Sequence, residues 1–375
     1  MNKKILHLTN DFSGSTVYKN LCEALDTLNF SQIIYTPIRL NNQIDKNKIE
    51  FIVKDSRILY RKVLSFYTRI NYRGKINRVV SDVLTTLDIN EFKLIHAHTW
   101  FSDGGAAYEL HKKYNIPYVI TIRNTDLNIF FKYMYHLRSY GLEILLNASK
   151  IIFISPIYKE RLLGHSYMTK HVEKLTSKSE MVVNGIDPFW LKNIASRKQS
   201  ISKPIKILYI GKFSKGKNVA ALICAIELIR TRGIDCILNL VGGDGSEFNK
   251  IMKFCQNKSW IFYWGKIFQK DSLMEIYRQN HIFAMPSKNE TFGLVYIEAL
   301  TQGIPVVYTK NEGIDGLYRN IGESVDARDI NNISSGIENI INNYIDYDFD
   351  PNKIAEKHDW KMVADKLQVI YNQMN

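Results

Sequence analysis

Short apolar runs alternate with longer amphipathic stretches from one end of the chain to the other. Runs at Lys3 to Thr9, Gln32 to Thr36, Phe92 to His98, Pro117 to Ile122, Lys150 to Ser155 and Met181 to Val183 predict buried strands, with helical periodicity between most of them. The polar, apolar-poor stretch Ala195 to Lys203 then interrupts the pattern and reads as a linker. The alternation restarts at Lys206 to Ile210, Cys236 to Val241, Trp260 to Trp264, Ile282 to Met285 and Ile304 to Tyr308, and it ends in an amphipathic helix over Trp360 to Tyr371. Repeated strand–helix alternation predicts an α/β chain with parallel sheets. At 375 residues the chain exceeds what one core usually holds. Two domains are expected, 1–200 and 201–375, the last helix (about 357–375) crossing back onto the first.

The most informative stretch runs from His281 to Val307. A strand ends at Pro286-Ser287, a polar loop follows, Gly293 opens a helix, and Gly303 stands where a C-cap glycine belongs before the next strand. A loop at the carboxyl end of a parallel strand that feeds a helix N-terminus favours a phosphate. Glu290 in the loop and Glu298 on the helix are spaced about 10 Å apart by a rise of about 1.5 Å per residue, too far to share a proton but suited to two ends of one ligand. Each taken alone also reads as a solvated carboxylate.

Other strand ends carry similar loops. Gly211-Lys212-Phe213-Ser214-Lys215-Gly216-Lys217-Asn218 puts three lysines and two glycines between a strand and a helix, an anion cradle or a surface lysine cluster, and no Gly-Lys-Ser/Thr closes it as a Walker loop does. Gly242-Gly243-Asp244-Gly245 and Gly265-Lys266 follow the next two strands. In the first half, Gly14 is the single glycine of the loop after the first strand. His96 and His98 alternate on one side of a strand: His96, nearer its middle, reads as core, and His98, at its carboxyl end, as ligand-facing. Arg123-Asn124 ends the next strand.

Charge sharpens the picture. The net +13 divides into +12 for residues 1–200 and +1 for 201–375. Lys54 to Arg78 holds eight basic residues and one acid, interleaved with aliphatic and aromatic residues. It reads either as a solvated basic helix over core or as an amphipathic surface for anionic lipid across residues 54–80. No nucleic-acid motif accompanies the charge, so no nucleic-acid partner is expected. Four scattered cysteines with no CxxC, and no clustered histidines, imply reduced thiols, no zinc site and a cytoplasmic setting. No run is long enough to span a membrane. Asp346-Tyr347-Asp348 lies in a polar stretch after no nucleotide-fold strand and reads as solvated loop.

Taken together, His96-Ala97-His98, Asn184-Gly185-Ile186-Asp187, the loop 211–218, the glycine turn 242–245 and above all the block 286–300 resemble the retaining glycosyltransferases of family 4, which have the GT-B fold, two Rossmann-like domains with a cleft between them. The resemblance covers most of the chain and includes the family's pair of glutamates eight positions apart. It implies a metal-independent, retaining hexosyltransferase using a nucleotide-sugar donor, UDP before GDP, and no cofactor. The acceptor would be a saccharide or lipid-linked saccharide in bacterial surface-polysaccharide synthesis, at the cytoplasmic membrane face. Lys212 and Lys217 would neutralise the diphosphate. Glu290 would contact the donor sugar, with the backbone N–H groups of Thr291, Phe292, Gly293 and Leu294 gripping sugar and phosphate, and Glu298 would bind the ribose. Gly211, Lys266 and Ile267 would shape the nucleotide site. His98 and Gly14 would lie beside the sugar, and Arg123 and Asn124 on the acceptor side.

The chain departs from the family in places. One glycine replaces the usual pair in the first loop, Lys212 replaces an arginine, and a shorter Gly211 loop leaves Lys215 or Lys217 as the phosphate lysine. Arg123-Asn124 replaces a histidine-containing turn. A non-catalytic scaffold and a sugar-nucleotide epimerase on the same fold are the alternatives.

Overall fold

The computed structural model describes residues 4–196 and 200–374. The chain forms two compact units. One comprises residues 1–154, 158–185 and 358–375; the other comprises 155–157 and 186–357. The division falls at Gly185–Ile186 and not near residue 200, because the short helix Pro188–Lys192 packs Trp190 against Tyr277, ring centroids 5.4 Å apart, in the second unit. Residues 197–199 of the expected linker lie outside the described residues.

The first unit is built on seven parallel strands: β1 (Lys4–Leu8), β2 (Ser31–Pro37), β3 (Arg57–Arg61), β4 (Leu94–Ala97), β5 (Tyr118–Ile122), β6 (Lys150–Phe153) and β7 (Ser179–Met181), ordered β3-β2-β1-β4-β5-β6-β7. The central strands are buried on both faces, which is why they read as continuous apolar runs. The terminal helix Trp360–Asn372 belongs to this unit. Its Trp360, Val363, Leu367 and Tyr371 share a core with Ile5, Leu25, Leu94 and Val119. Asp359 caps that helix through the Lys361 N–H, and Ser15 caps the helix Thr16–Thr27 through the Val17 N–H.

The second unit has six parallel strands: β8 (Ile205–Lys212), β9 (Cys236–Gly243), β10 (Ile261–Tyr263), β11 (Ile282–Ala284), β12 (Val306–Thr309) and β13 (Gly322–Val325), ordered β10-β9-β8-β11-β12-β13. In each sheet the strand order reverses once, between β1 and β4 and between β8 and β11. Such a switch point diverges the loops at the carboxyl ends and opens a crevice there, where ligands of open α/β sheets bind.

Two strands escaped the sequence pattern. β3 is an edge strand, Arg-Ile-Leu-Tyr-Arg, with an arginine at each end and three half-buried residues between, and β13 reads Gly-Glu-Ser-Val with little apolar content. The basic segment is therefore not one amphipathic helix. It comprises β3, a single helical turn at Tyr67–Arg69 and the start of the helix Tyr72–Thr86. No helix among the described residues is long and apolar enough to cross a membrane.

Candidate active site

In the second unit the switch point between β8 and β11 carries the loop 213–218 on one side and the loop 285–293 on the other. Lys217 reaches across: its Nζ lies 2.6 Å from Glu290 Oε2 and 3.8 Å from Met285 Sδ. Glu290 is almost fully buried, and its other oxygen accepts the Thr291 N–H at 3.0 Å. The Glu290 N–H donates to Glu312 Oε2 at 3.2 Å. Asn218 pins the lysine loop from below, its Nδ2 donating to Pro286 O at 3.1 Å and Ala327 O at 2.7 Å. Gly293 opens the helix Leu294–Thr301 at φ +81°, so the helix N-terminus begins directly beside the ion pair. A Cβ there would sit 2.4 Å from the Tyr296 ring and 3.2 Å from Glu290 Cγ. Only glycine fits.

Glu298 is partly buried on that helix and accepts a hydrogen bond from Tyr277 Oη at 3.1 Å. Burial pushes its carboxyl up to about 7, and Asp187 adds to the rise, while the bonds from Tyr277 and Trp190 and the charge of Lys270 oppose it. Lys212 and Lys215 are exposed. Lys266 pairs with Asp244, which joins the loops after β9 and β10. Gly242 lies against Gly211 so closely that a Cβ would fall 2.1 Å from its carbonyl oxygen. Beyond β10, a cavity of about 520 Å³ is lined by Trp264, Lys266, Ile267, Phe268 and Gln269 among others. An ammonium and a helix N-terminus at the β8/β11 switch point, with a cavity of mixed aromatic and polar lining beyond β10, suit a nucleoside diphosphate.

In the first unit the switch point between β1 and β4 holds a buried histidine cluster. His7 on β1 pairs in register with His96 on β4, and His98 follows the strand. The His96 and His98 rings stack with centroids 4.0 Å apart, and His7 Nδ1 lies 3.0 Å from His98 Nε2. His96 spends both ring nitrogens on Tyr371 Oη, at 2.6 Å, and Thr121 Oγ1, at 2.9 Å, which makes it core. His98 Nδ1 and His7 Nε2 are buried without a hydrogen-bond partner. Burial holds all three imidazoles neutral at pH 7: His7 falls to about 3, and His96 and His98 fall well below their ordinary value. Arg123 Nε donates to His98 O at 3.0 Å, and the guanidinium lies 4.6 Å over the Tyr18 ring. Asn124 donates to Tyr158 Oη at 2.9 Å, and Gly14 sits under Asp11.

The cluster corrects one expectation: the histidines are scattered in sequence but not in space. Their ligand-type nitrogens lie within 4.8 Å of one another. A metal there would have to displace the Tyr371 or Thr121 bond of His96 or use the His7–His98 contact, and all four cysteines are free thiols.

The chain matches two family models that together run almost end to end: Glycosyltransferase Family 4 over residues 14–188 and Glycosyl transferases group 1 over 192–358. The chain is a glycosyltransferase of the family 4 type. It is 28% identical over 266 residues to a glycosyltransferase of Methanocaldococcus jannaschii, covering 67% of this chain and 66% of that protein. It is 25% identical over 251 residues to a Bacillus subtilis glycosyltransferase named for teichuronic acid biosynthesis, covering 64% and 59%. A solved Anabaena protein in complex with UDP and glucose shares the fold, with TM-score 0.67 and 15% identity over 99% of this chain and 100% of that one. Two parallel sheets with flanking helices, each with one switch point, make this glycosyltransferase a GT-B protein.

Sequence reasoning brought Lys217, Glu290 and the glycosyltransferase's helix N-terminus to one place, and the structure joins them. It missed three contributors, His7, Tyr277 and Asp103. His7 stands in register with His96, a relation visible only once β1 and β4 are known to be neighbours. Tyr277 arrives from a separate helix, whereas Glu312 lies in the loop Asn311 to Gly316 after β12, which the sequence marks as ligand-side, and only its contact with the Glu290 N–H is new. Asp103 is buried among Asn10 and Thr99, and burial pushes it up to about 7. Its helix start, Ser102-Asp103-Gly104-Gly105, carried the only advance signal.

Proposed function

We propose that this glycosyltransferase transfers a hexose from a nucleoside-diphosphate sugar to a hydroxyl of a saccharide or lipid-linked saccharide, with retention and without a metal. The observation that carries the reading is the Lys217–Glu290 pair at the N-terminus of the helix Leu294–Thr301. A leaving diphosphate gains negative charge as the glycosidic bond breaks. Lys217 and the helix N–H groups stand ready to stabilise that charge, and Lys212 adds an exposed cation. In the same-face displacement we favour, the bond from the anomeric carbon to the phosphate breaks as the acceptor oxygen bonds on the same face, and the departing phosphate oxygen takes the acceptor proton. Glu290 then orients the sugar hydroxyls. Glu298 binds the ribose, and Lys266 and Ile267 border the base. His98 offers a neutral hydrogen bond rather than a charge, and Gly14 leaves room beside it. Arg123 and Asn124 serve the acceptor.

UDP is favoured because a solved protein of this fold holds UDP and glucose. Surface-polysaccharide synthesis is favoured because a relative is named for teichuronic acid biosynthesis. Contact with an anionic membrane is part of the same proposal. It rests on the basic segment 54–80 and on Phe66, Tyr67 and Ile70, which the fold leaves exposed there.

The test is a thermal-shift panel of UDP, GDP and ADP and their sugar conjugates with and without EDTA, followed by NMR of the product anomer. A shift for the uridine compounds that EDTA leaves unchanged, with an α-linked product from an α-linked donor, is expected. Binding without turnover would indicate a scaffold, and an inverted product would sink retention.

A further inference from the structure

A second cavity, about 320 Å³ in volume, lies in the first unit beneath the single helical turn Tyr67–Arg69. Its lining holds four basic side chains, Arg39, Arg69, Lys75 and His136, and no acid, while Tyr72 and Phe130 supply apolar wall. The basic groups come from different places: Arg39 after β2, Arg69 on the turn, Lys75 on the helix Tyr72–Thr86 and His136 on the turn Tyr135–Leu137.

The charges of Arg39 and Lys75 are poorly compensated by the protein. Arg39 Nε is buried without a hydrogen-bond partner. Lys75 is buried, and its ammonium donates to the neutral Ser102 Oγ at 2.7 Å. Asp103 and Asp126 favour its charged form, but neither lies within ion-pair distance of it, and burial and the charge of Arg39 work against that form. Burial and the neighbouring Arg69 in turn disfavour the charge of Arg39. Gathering like charges around a partly dry cavity costs free energy unless an anion joins them. Two guanidinium forks and an ammonium match phosphate oxygens, which accept several charge-assisted bonds at once.

The rim adds a second property. Phe66, Tyr67 and Ile70 are 69%, 78% and 79% exposed, and Tyr135, next in sequence to the lining Met134 and His136, is 66% exposed. Contiguous exposed apolar side chains beside a cationic hollow suit an amphiphile, with the anion inside and the hydrocarbon along the rim.

We propose that this cavity binds the phosphate or diphosphate of a lipid-linked acceptor, with Arg39, Arg69 and Lys75 holding the anion and Phe66, Tyr67 and Ile70 meeting the lipid. The inference rests on the acceptor reading above and narrows it, because a purely neutral saccharide would leave the four basic groups without work.

The experiment titrates the full chain, saturated with UDP so that its donor site is filled, with inorganic pyrophosphate and with farnesyl diphosphate, read by isothermal calorimetry. Both probes are expected to bind, farnesyl diphosphate at least tenfold more tightly. The pair Arg39→Gln and Arg69→Gln should weaken both at least tenfold. A control pair outside the cavity and outside the segment 54–80, Lys113→Gln and Lys170→Gln, both exposed, should change neither by more than twofold. Phe66→Ser with Ile70→Ser should abolish the difference between the probes. Pyrophosphate binding that survives the arginine changes, or that falls equally in the control pair, overturns the anion site, and equal affinity for the two probes overturns the lipid. Should the Arg39 variant fail to fold, Arg69→Gln with His136→Gln, both at exposed positions, takes its place with the same criterion. The UDP-induced thermal shift is recorded alongside. Its absence, with pyrophosphate binding still lost in the arginine variant, would sink the donor reading and leave this one standing.

Discussion

The ammonium of Lys217 stands 2.6 Å from the Glu290 carboxylate, although the two residues are 73 positions apart and come from loops on opposite sides of a switch point. Each group offsets the other's charge, and in the proposed reaction the donor's diphosphate would compete for Lys217 and its sugar for Glu290. Lys217→Ala should therefore lower kcat by about 100-fold, the scale of losing one transition-state donor, while donor Kd rises less than tenfold. Steady-state kinetics with a separate equilibrium titration check this. An unchanged kcat would remove Lys217 from the chemistry and leave the exposed Lys215 as the phosphate lysine.

Glu298 gives the site a pH dependence. Its carboxyl is raised to about 7 in the folded chain from an ordinary 4.5, so between those values the folded state binds more protons than the unfolded state. Stability from this group is present below pH 4.5 and lost as pH rises through 7. Asp103, also raised to about 7, acts in the same direction, whereas His7, lowered to about 3, contributes stability that grows as pH rises from 3 to 6.5. The net curve mixes these, so the informative quantity is the difference between wild type and Glu298→Gln, in which Tyr277 can still donate to the amide oxygen. The variant should gain Tm relative to wild type as pH goes from 5 to 8. A difference that stays flat over that range contradicts the assignment.

The alternation of strands and helices was legible because the parallel strands are buried on both faces and so write continuous apolar runs. β3 and β13 were not, since an edge strand needs apolar residues on one side only and can carry arginines or a glutamate. The loop proposed to hold the donor was legible as a strand–loop–helix unit because Glu290, Gly293 and Glu298 are close in sequence. The histidine cluster and the Glu312 contact were not, because each depends on which strands are neighbours. The basic segment misled for a related reason: its apolar residues divide between core (Leu64 and Tyr72) and solvent (Phe66, Tyr67 and Ile70), a division that periodicity alone does not reveal.

Gly293 is a sensitive backbone position of the proposed donor site. At φ +81° an alanine is strained, and its Cβ would push the Tyr296 ring, whose hydroxyl is bonded to Met285 O. Gly293→Ala should cost about 1–3 kcal/mol and weaken UDP binding more than tenfold, because the helix N–H groups shift with it. Chemical denaturation and calorimetry measure the two effects. Full stability with full UDP affinity would show that the helix entrance can relax.

The membrane proposal calls for substitutions that spare internal ion pairs. Arg61 holds Asp82 through two bonds of 2.9 Å, and Arg73 covers the Tyr140 ring at 3.5 Å, so reversing either charge also disturbs the fold. Phe66→Ser with Tyr67→Ser alters only exposed side chains. Cosedimentation with phosphatidylglycerol vesicles should fall at least fivefold in that pair with Tm unchanged, and should weaken further in high salt. Retention equal to wild type would rule out this turn as the contact.

Tyr371 tests whether the terminal helix holds the histidine cluster in place. Its hydroxyl lies 2.6 Å from His96 Nδ1, and His96 in turn stacks on His98 at 4.0 Å. Tyr371→Phe keeps the ring against Phe30 and the core but leaves a fully buried imidazole nitrogen unpaired. The expected cost is about 1–3 kcal/mol in the stability of the first unit, the scale of an unsatisfied buried polar group. Because the buried imidazoles are neutral, the loss should be the same at pH 6 and pH 8. If His98 depends on His96 only for packing, kcat should change less than threefold. A larger fall in kcat, rescued by no change of pH, would instead make Tyr371 a positioning residue that sets the His98 ring through His96.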